Sequence, residues 1–280
     1  MKHLLSPFYS DWLPPELVKT GLTEASINCD QCRMTPACKG KKAKLTYEPE
    51  LKCCTYEPFL PNFHLGALLR DPEYGPKFKL TIEERWRSRD VLLPMGMAPN
   101  REYQKKFFQK KPEDFGNRAD LICSHFDKTK NSCSIWKFRG AVCTSFYCTS
   151  EYGALGKKFW KQLGDHLFLL DMSLSEEILA DMGFSPRQVS DQLEWLKIEN
   201  LQDSKLGSIS PRARTARLKK LWPPEFQDPF TFYDECYRLA LKYKRSSMKQ
   251  ILGDLGKESE TKMIQLLQST RELEKNNFKN

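Results

Sequence analysis

Residues 123–148 read CSHFDKTKNSCSIWKFRGAVCTSFYC, and Cys123, Cys133, Cys143 and Cys148 punctuate them with no apolar period long enough for an extended helix or strand. A segment so short of regular structure needs something besides backbone ladders to hold it, and its thiols are the means at hand. The pattern continues upstream. Cys29-x2-Cys32-x5-Cys38 is followed by the adjacent pair Cys53-Cys54, so nine of the ten cysteines lie between Cys29 and Cys148, while the 132 residues beyond add only Cys236. Cysteine use is regional, so its cause is regional.

Outward from this stretch the chain divides into a cysteine-rich region, 1–150, and a helical region, 151–280, packed against it. In the second, Leu155, Phe159, Leu163, Leu167 and Leu170 recur at spacings of three and four, which predicts an amphipathic helix over Ala154–Met172. Ser175 followed by Glu176 and Glu177 reads as a new helix start, and Pro186 as the first turn of a helix carrying Val189, Leu193 and Leu196. Further helices are expected over Phe232–Tyr243 and Thr261–Leu273, with Gly253 and Gly256 in the gap between them. In the first region the periodicity predicts helices over Asn62–Leu69, Glu83–Val91 and Arg101–Phe108, and short strands near Lys137–Thr144. Pro94, Pro99 and Pro112 argue against long elements there. The expected fold is mainly α, with a loop-rich, metal-stabilised cysteine region and a few short strands. The 280 residues are 40% hydrophobic against 29% charged, enough to supply a buried core and to exclude a disordered tail.

A C-x2-C turn lets two thiolates converge on one ion, so coordination suits Cys29, Cys32, Cys38, Cys53, Cys54, Cys123, Cys133, Cys143 and Cys148. A disulfide framework is the alternative, but no export signal is read at the N-terminus, and the reducing cytosol disfavours structural disulfides. Buried free thiols are the plainest account of an isolated cysteine, and they suffice for Cys236, on a helical stripe with Phe232, Leu239 and Tyr243. Zinc needs four ligands at one point, whereas a [4Fe-4S] cluster spreads four thiolates over a cube. Adjacent Cys53 and Cys54 project differently and suit separate irons or separate sites, so an iron-sulfur cluster is expected, with zinc as the alternative. Nine thiols suffice for two sites. His125 and His64 offer mixed ligation, against the plainer roles of a loop histidine and a helix-face histidine. Tyr56, Phe59, Phe63, Phe126, Trp136, Phe146 and Tyr147 are candidates for an apolar shell or for ordinary core packing.

The order of these motifs resembles the CxxCxxCC family, also called the YkgJ family and described as a zinc- or iron-chelating domain. That family has a cysteine group ending in a Cys-Cys pair, then cysteine, a hydrophilic loop, Cys-x-Ile-aromatic and Arg-x-x-x-Cys. Here the second element is Cys123-Ser-His-Phe, Asn131-Ser-Cys133-Ser-Ile135-Trp136 and Arg139-Gly-Ala-Val-Cys143. The likeness covers residues 29–148. Cys38 stands in a stretched first group, and Gly140 takes the place of the family's proline. The resemblance implies metal chelation by the matching cysteines and, through flagellin lysine methylases with a related motif, cluster-dependent methyl transfer. Arg139 then reads as a group that hydrogen-bonds the site or offsets its thiolate charge.

No dinucleotide fingerprint, Walker A loop or H-E-x-x-H helix is present, and no catalytic residue can be singled out. The net charge of +9 suits solubility or an acidic partner. Arg212, Arg214, Arg217, Lys219 and Lys220 lie beside Trp222, a run that could track phosphates with the indole stacked on a base, although such runs are more often solvated faces. No apolar run approaches the roughly 20 residues of a membrane span. The sequence therefore predicts a cytoplasmic protein with a metal ion or cluster as its principal partner, a protein partner as a further one, and no membrane contact.

Overall fold

Helices form where the apolar spacing calls for them. The structure, a computed structural model, describes residues 8–20, 46–88, 91–196 and 218–277, with Leu5, Leu22, Glu24, Cys32, Met34, Thr35 and Ala216 as single positions. Cys29 and Cys38 lie outside the described residues, as do Arg212, Arg214 and Arg217. The chain is mainly helical, with a few two-residue antiparallel strands. Two short helices, α1 (Tyr9–Trp12) and α2 (Pro15–Thr20), precede β1 (Leu60–Pro61), α3 (Asn62–Arg70) and α4 (Gly75–Ser88). Strands β2 (Leu92–Leu93) and β3 (Gly96–Met97) join β1 in a sheet of order β1-β3-β2, and α5 (Arg101–Phe108) follows. The hairpin β4 (Phe126–Asp127) and β5 (Ser132–Cys133) leads into α6 (Ala141–Ser145). The long helices are α7 (Gly153–Asp181), α8 (Pro186–Leu196), α9 (Pro229–Ala240) and α10 (Arg245–Asn277).

Capping sets several starts. Asn100 Oδ1 accepts from the Tyr103 amide at 2.8 Å to open α5, and Asp228 accepts from the Phe230 and Thr231 amides to open α9, with Pro229 at its first position. Ser185 and Gln188 bond each other's backbone amides ahead of α8, a capping box. The expected start at Ser175 does not occur. Leu174 and Ile178 continue the buried stripe of Leu167 and Leu170 at intervals of four, so α7 runs straight through a fully buried Ser175. Helix α4 begins at Gly75 rather than Glu83 and ends at Ser88, because Phe78 and Ile82 start its buried face earlier; Val91 lies beyond it with φ 45°. Strands near Lys137–Thr144 are also absent. Residues 136–138 form a 3-10 turn, and the Thr144 amide bonds the Gly140 carbonyl at 3.0 Å, closing the chain into α6 instead.

One apolar core crosses residue 150. Phe63 and Leu68 of α3, Phe159 and Leu167 of α7, Phe232 of α9 and Met263 of α10 all belong to it. Helix α9 lies on α3, and α10 and α6 both lie on α7. The α3–α9 crossing is close enough to need Gly66, where a Cβ would meet the Tyr233 carbonyl oxygen at 2.0 Å. Gly253, with φ 54° and ψ −143°, is non-helical and divides α10 into two helical arms across a kink, so the interruption expected at Gly253 is found there. Strands this short leave carbonyls over, and helices satisfy them: Trp222 Nε1 donates to Leu92 O at 3.0 Å and Tyr233 Oη to Leu93 O at 2.7 Å. Trp222 is therefore a core residue at 4% exposure, and the expectation that it stacks on a base is corrected; Lys219 and Lys220 beside it are exposed. Cys236 is fully buried in the same core, as packing predicts. Among the described residues, no helix is long and apolar enough to cross a membrane.

Candidate metal centre

The two cysteine groups meet through the main chain. Residues 48–54 fold as tight turns, with Lys52 at φ 54° and the Cys54 amide donating to Leu51 O at 3.1 Å. The Cys54 carbonyl then accepts from the Cys123 amide at 2.7 Å, which clamps the two groups directly. Beyond Cys123 the chain turns through the β4–β5 hairpin, where Phe126 faces Cys133 in register and Lys52 Nζ donates to Asn131 O at 2.8 Å. Cys143 rides on α6, held against α7. At the N-terminal side, the amide and the hydroxyl of Thr35 both donate to Cys32 O, and the Tyr47 amide donates to Met34 O at 2.7 Å.

These loops enclose a cavity of about 530 Å³, and Cys32, Cys53, Cys54, Cys123, Cys133, Cys143 and Cys148 all line it. All seven are free thiols, so the disulfide alternative is not realised among the described cysteines. They span 116 sequence positions from Cys32 to Cys148 yet share one space. Among the described residues, no three His, Cys, Asp or Glu side chains are drawn into the cage of a single metal ion. The thiols instead ring the cavity from its walls.

The electrostatics follow from burial. Desolvation pushes the Cys123, Cys133, Cys143 and Cys148 thiols above their usual range; the Glu57 charge and then neighbouring thiolates add to the rise at Cys123, and thiolate charges add to it at the other three. Cys53 goes the other way. A hydrogen bond from the Cys54 thiol, helped by the Arg139 and Lys52 charges, pulls Cys53 down to about 7, and the same bond drives Cys54 upward. Arg139 is 7% exposed, with its guanidinium carbon 3.5 Å from the centre of the Trp136 ring. It lines the cavity, and its charge reaches Cys53, Cys133 and Cys143. The donor set therefore fits a cationic centre: abundant thiols that bind as thiolates, with fixed cations to temper the accumulated charge.

His125 lies on the cavity wall at 4% exposure, and its Nε2 has no hydrogen-bond partner. Burial and the nearby Arg85 charge pull its pKa to about 4, so the imidazole is in the neutral, ligating form. His64 is not on the cavity. It sits fully buried between the Phe8 and Phe63 rings, 3.7 Å from Asp171, which corrects its candidacy as a ligand. Of the proposed aromatic shell, Tyr56, Phe126, Trp136, Phe146 and Tyr147 line the cavity, whereas Phe63 belongs to the main core.

Sequence reasoning missed two acids. Glu24 lines the cavity and accepts from Trp160 Nε1 at 2.7 Å, Ser150 Oγ at 2.5 Å and the Glu151 amide at 2.9 Å, tying the N-terminal segment to α7. Glu57 accepts from the Ser124 amide at 3.0 Å and from Arg85 at 3.4 Å, beside Cys123. Glu57 could have been suspected from its place three residues after the Cys-Cys pair; nothing local marks Glu24, whose partners lie 126 to 136 positions away. Comparisons with family models, curated proteins and solved structures give no match to the chain.

Proposed function

We propose that the chain is a cytoplasmic, cysteine-rich metal-binding protein that holds one or two iron-sulfur clusters through its thiolates, with Cys29 and Cys38 completing the set of nine. The observation that carries this reading is the convergence of seven thiols, far apart in sequence, on one largely apolar cavity. Buried thiols acting as small hydrophobes need no such meeting point. A single zinc ion takes four ligands at about 2.3 Å from one point, whereas a cluster takes thiolates spread around its corners, and thiols distributed over the wall of one cavity favour the second. When bound, such a cluster supplies one-electron transfer or a Lewis-acidic iron.

The protein's own residues would then do the following. The Cys54–Cys123 backbone bond fixes the two cysteine groups at one separation. Arg139 and Lys52 offset thiolate charge, the pull on Cys53 making it the first of the pair to ionise. Tyr56, Trp136 and Tyr147 limit the approach of water. Binding releases protons, because most of these thiols are protonated in the bare protein.

Purification without oxygen tests the reading. The expected result is a brown protein with iron and acid-labile sulfide in equal amounts. A colourless protein with stoichiometric zinc would replace the cluster by the zinc alternative.

A further inference from the structure

Each of the described histidines, His64, His125 and His166, has a buried ring nitrogen without a hydrogen-bond partner, and their surroundings tell them apart. His64 lies between aromatic rings beside Asp171, and the second ring nitrogen of His166 meets Ser259 Oγ at 3.1 Å. Neither is on the thiol cavity. His125 lines it, at 4% exposure. The backbone fixes it there between two cysteines. Its amide donates to Cys123 Sγ at 3.4 Å, so that sulfur lies against the main chain of residue 125, and its carbonyl accepts from the Ser134 amide at 2.8 Å, one position beyond Cys133. The next residue, Phe126, is paired in register with Cys133. Cys123, His125 and Cys133 are therefore gathered at one short hairpin and placed by main-chain bonds. Burying an imidazole nitrogen unpaired is unfavourable, and a metal atom satisfies its lone pair where no described residue does. Imidazole is, with thiolate, a common side-chain donor to both zinc and iron.

We infer that His125 is itself a ligand of the thiol-lined centre, its Nε2 bound to one metal atom in the place of a thiolate. The inference rests on the metal reading above and adds a nitrogen donor to it. A neutral imidazole instead of an anionic thiolate leaves the centre one charge less negative, which favours its reduced form.

The test is pulsed electron paramagnetic resonance on protein purified without oxygen, frozen, and reduced by irradiation in the solid, with iron, zinc and sulfide assayed on the same samples. Chains carrying the heavy nitrogen isotope only in histidine are compared with unlabelled ones. Expected is the strong hyperfine coupling of a directly bound nitrogen, changed by the label and lost in His125→Cys and in His125→Gln. His125→Cys should keep iron and sulfide at the wild-type level, because its thiolate restores the ligand. An iron-loaded protein with no histidine nitrogen coupling, or with only the weak coupling of an N–H···S hydrogen bond, overturns the ligation and leaves the thiolate cluster standing. A strong coupling unaltered in both variants overturns it as well. On a colourless zinc protein the readout is zinc-edge X-ray absorption: imidazole scattering lost in His125→Cys supports the ligand and defeats the cluster, whereas sulfur-only scattering defeats both. A protein that holds no metal also defeats both.

Discussion

The helix pairs α3–α9 and α7–α10 and the cysteine cavity are both buried, but they are held by different physics. The helix pairs are closed by complementary apolar surface, with Leu163, Leu167, Leu170 and Met263 fully enclosed. They need no ligand. The cavity is walled by short turns, a two-residue hairpin and seven free thiols, most with their ionisation suppressed by burial. Little regular structure spans it, so under the proposed reading its cohesion would depend on a centre that the thiols hold. The contrast teaches that apolar packing accounts for one part of the core by itself, while the other part is where the proposed metal centre would add its stability.

The strongest way to break the comparison is to remove ligands from one side only. Cys53→Ser combined with Cys123→Ser is expected to abolish nearly all bound iron while far-UV circular dichroism retains the long-helix signal. Iron content per chain checks the first and the dichroism spectrum the second. Truncation on the other side should do the reverse. Leu167→Ala removes a fully buried side chain from α7 and should lower the free energy of unfolding by about 3–5 kcal/mol, read by denaturant titration, with unchanged iron per folded chain.

A pH experiment sharpens the contrast. His166 is buried beside Ser259, and burial, then the Arg245 charge, outweighs Glu260 to pull its pKa from 6.5 to about 4. Its neutral form is the folded one, so the unfolded chain binds the extra proton. The contribution is complete above pH 6.5 and is lost as pH falls toward 4. His166→Gln should therefore reduce the acid loss of stability between those limits by up to about 3 kcal/mol, measured as the difference between the two proteins' stability profiles. An unchanged slope would remove His166 from the account. The smallest effect belongs to a cap: Asp228→Ala should cost about 1 kcal/mol in thermal unfolding and leave metal content untouched.

What was legible in the sequence was what local chemistry writes there. Helix α5 falls on its expected bounds because Asn100 caps it, and the α7 stripe lies where Phe159, Leu163 and Leu167 place it. Ser175 misled because a cap signal is weaker than a continuing apolar period in a helix already buried. The involvement of the cysteines could be read from their crowding. The Cys54–Cys123 clamp could not, since a backbone bond between distant loops leaves no side-chain signature. Trp222 looked available beside a basic run, but its burial depends on Trp86, Phe232 and Tyr233, which only the tertiary fold brings to it.

Hydrogen exchange measured by mass spectrometry, before and after chelation of the protein prepared without oxygen, tests the difference most directly. The account predicts that stripping the bound centre raises exchange sharply across residues 46–58 and 117–150 and leaves the amides of α3, α7, α9 and α10 as protected as before. Identical exchange maps before and after the metal is removed, or a sample that holds no metal yet protects residues 46–58 and 117–150 as well as the helices, would contradict it.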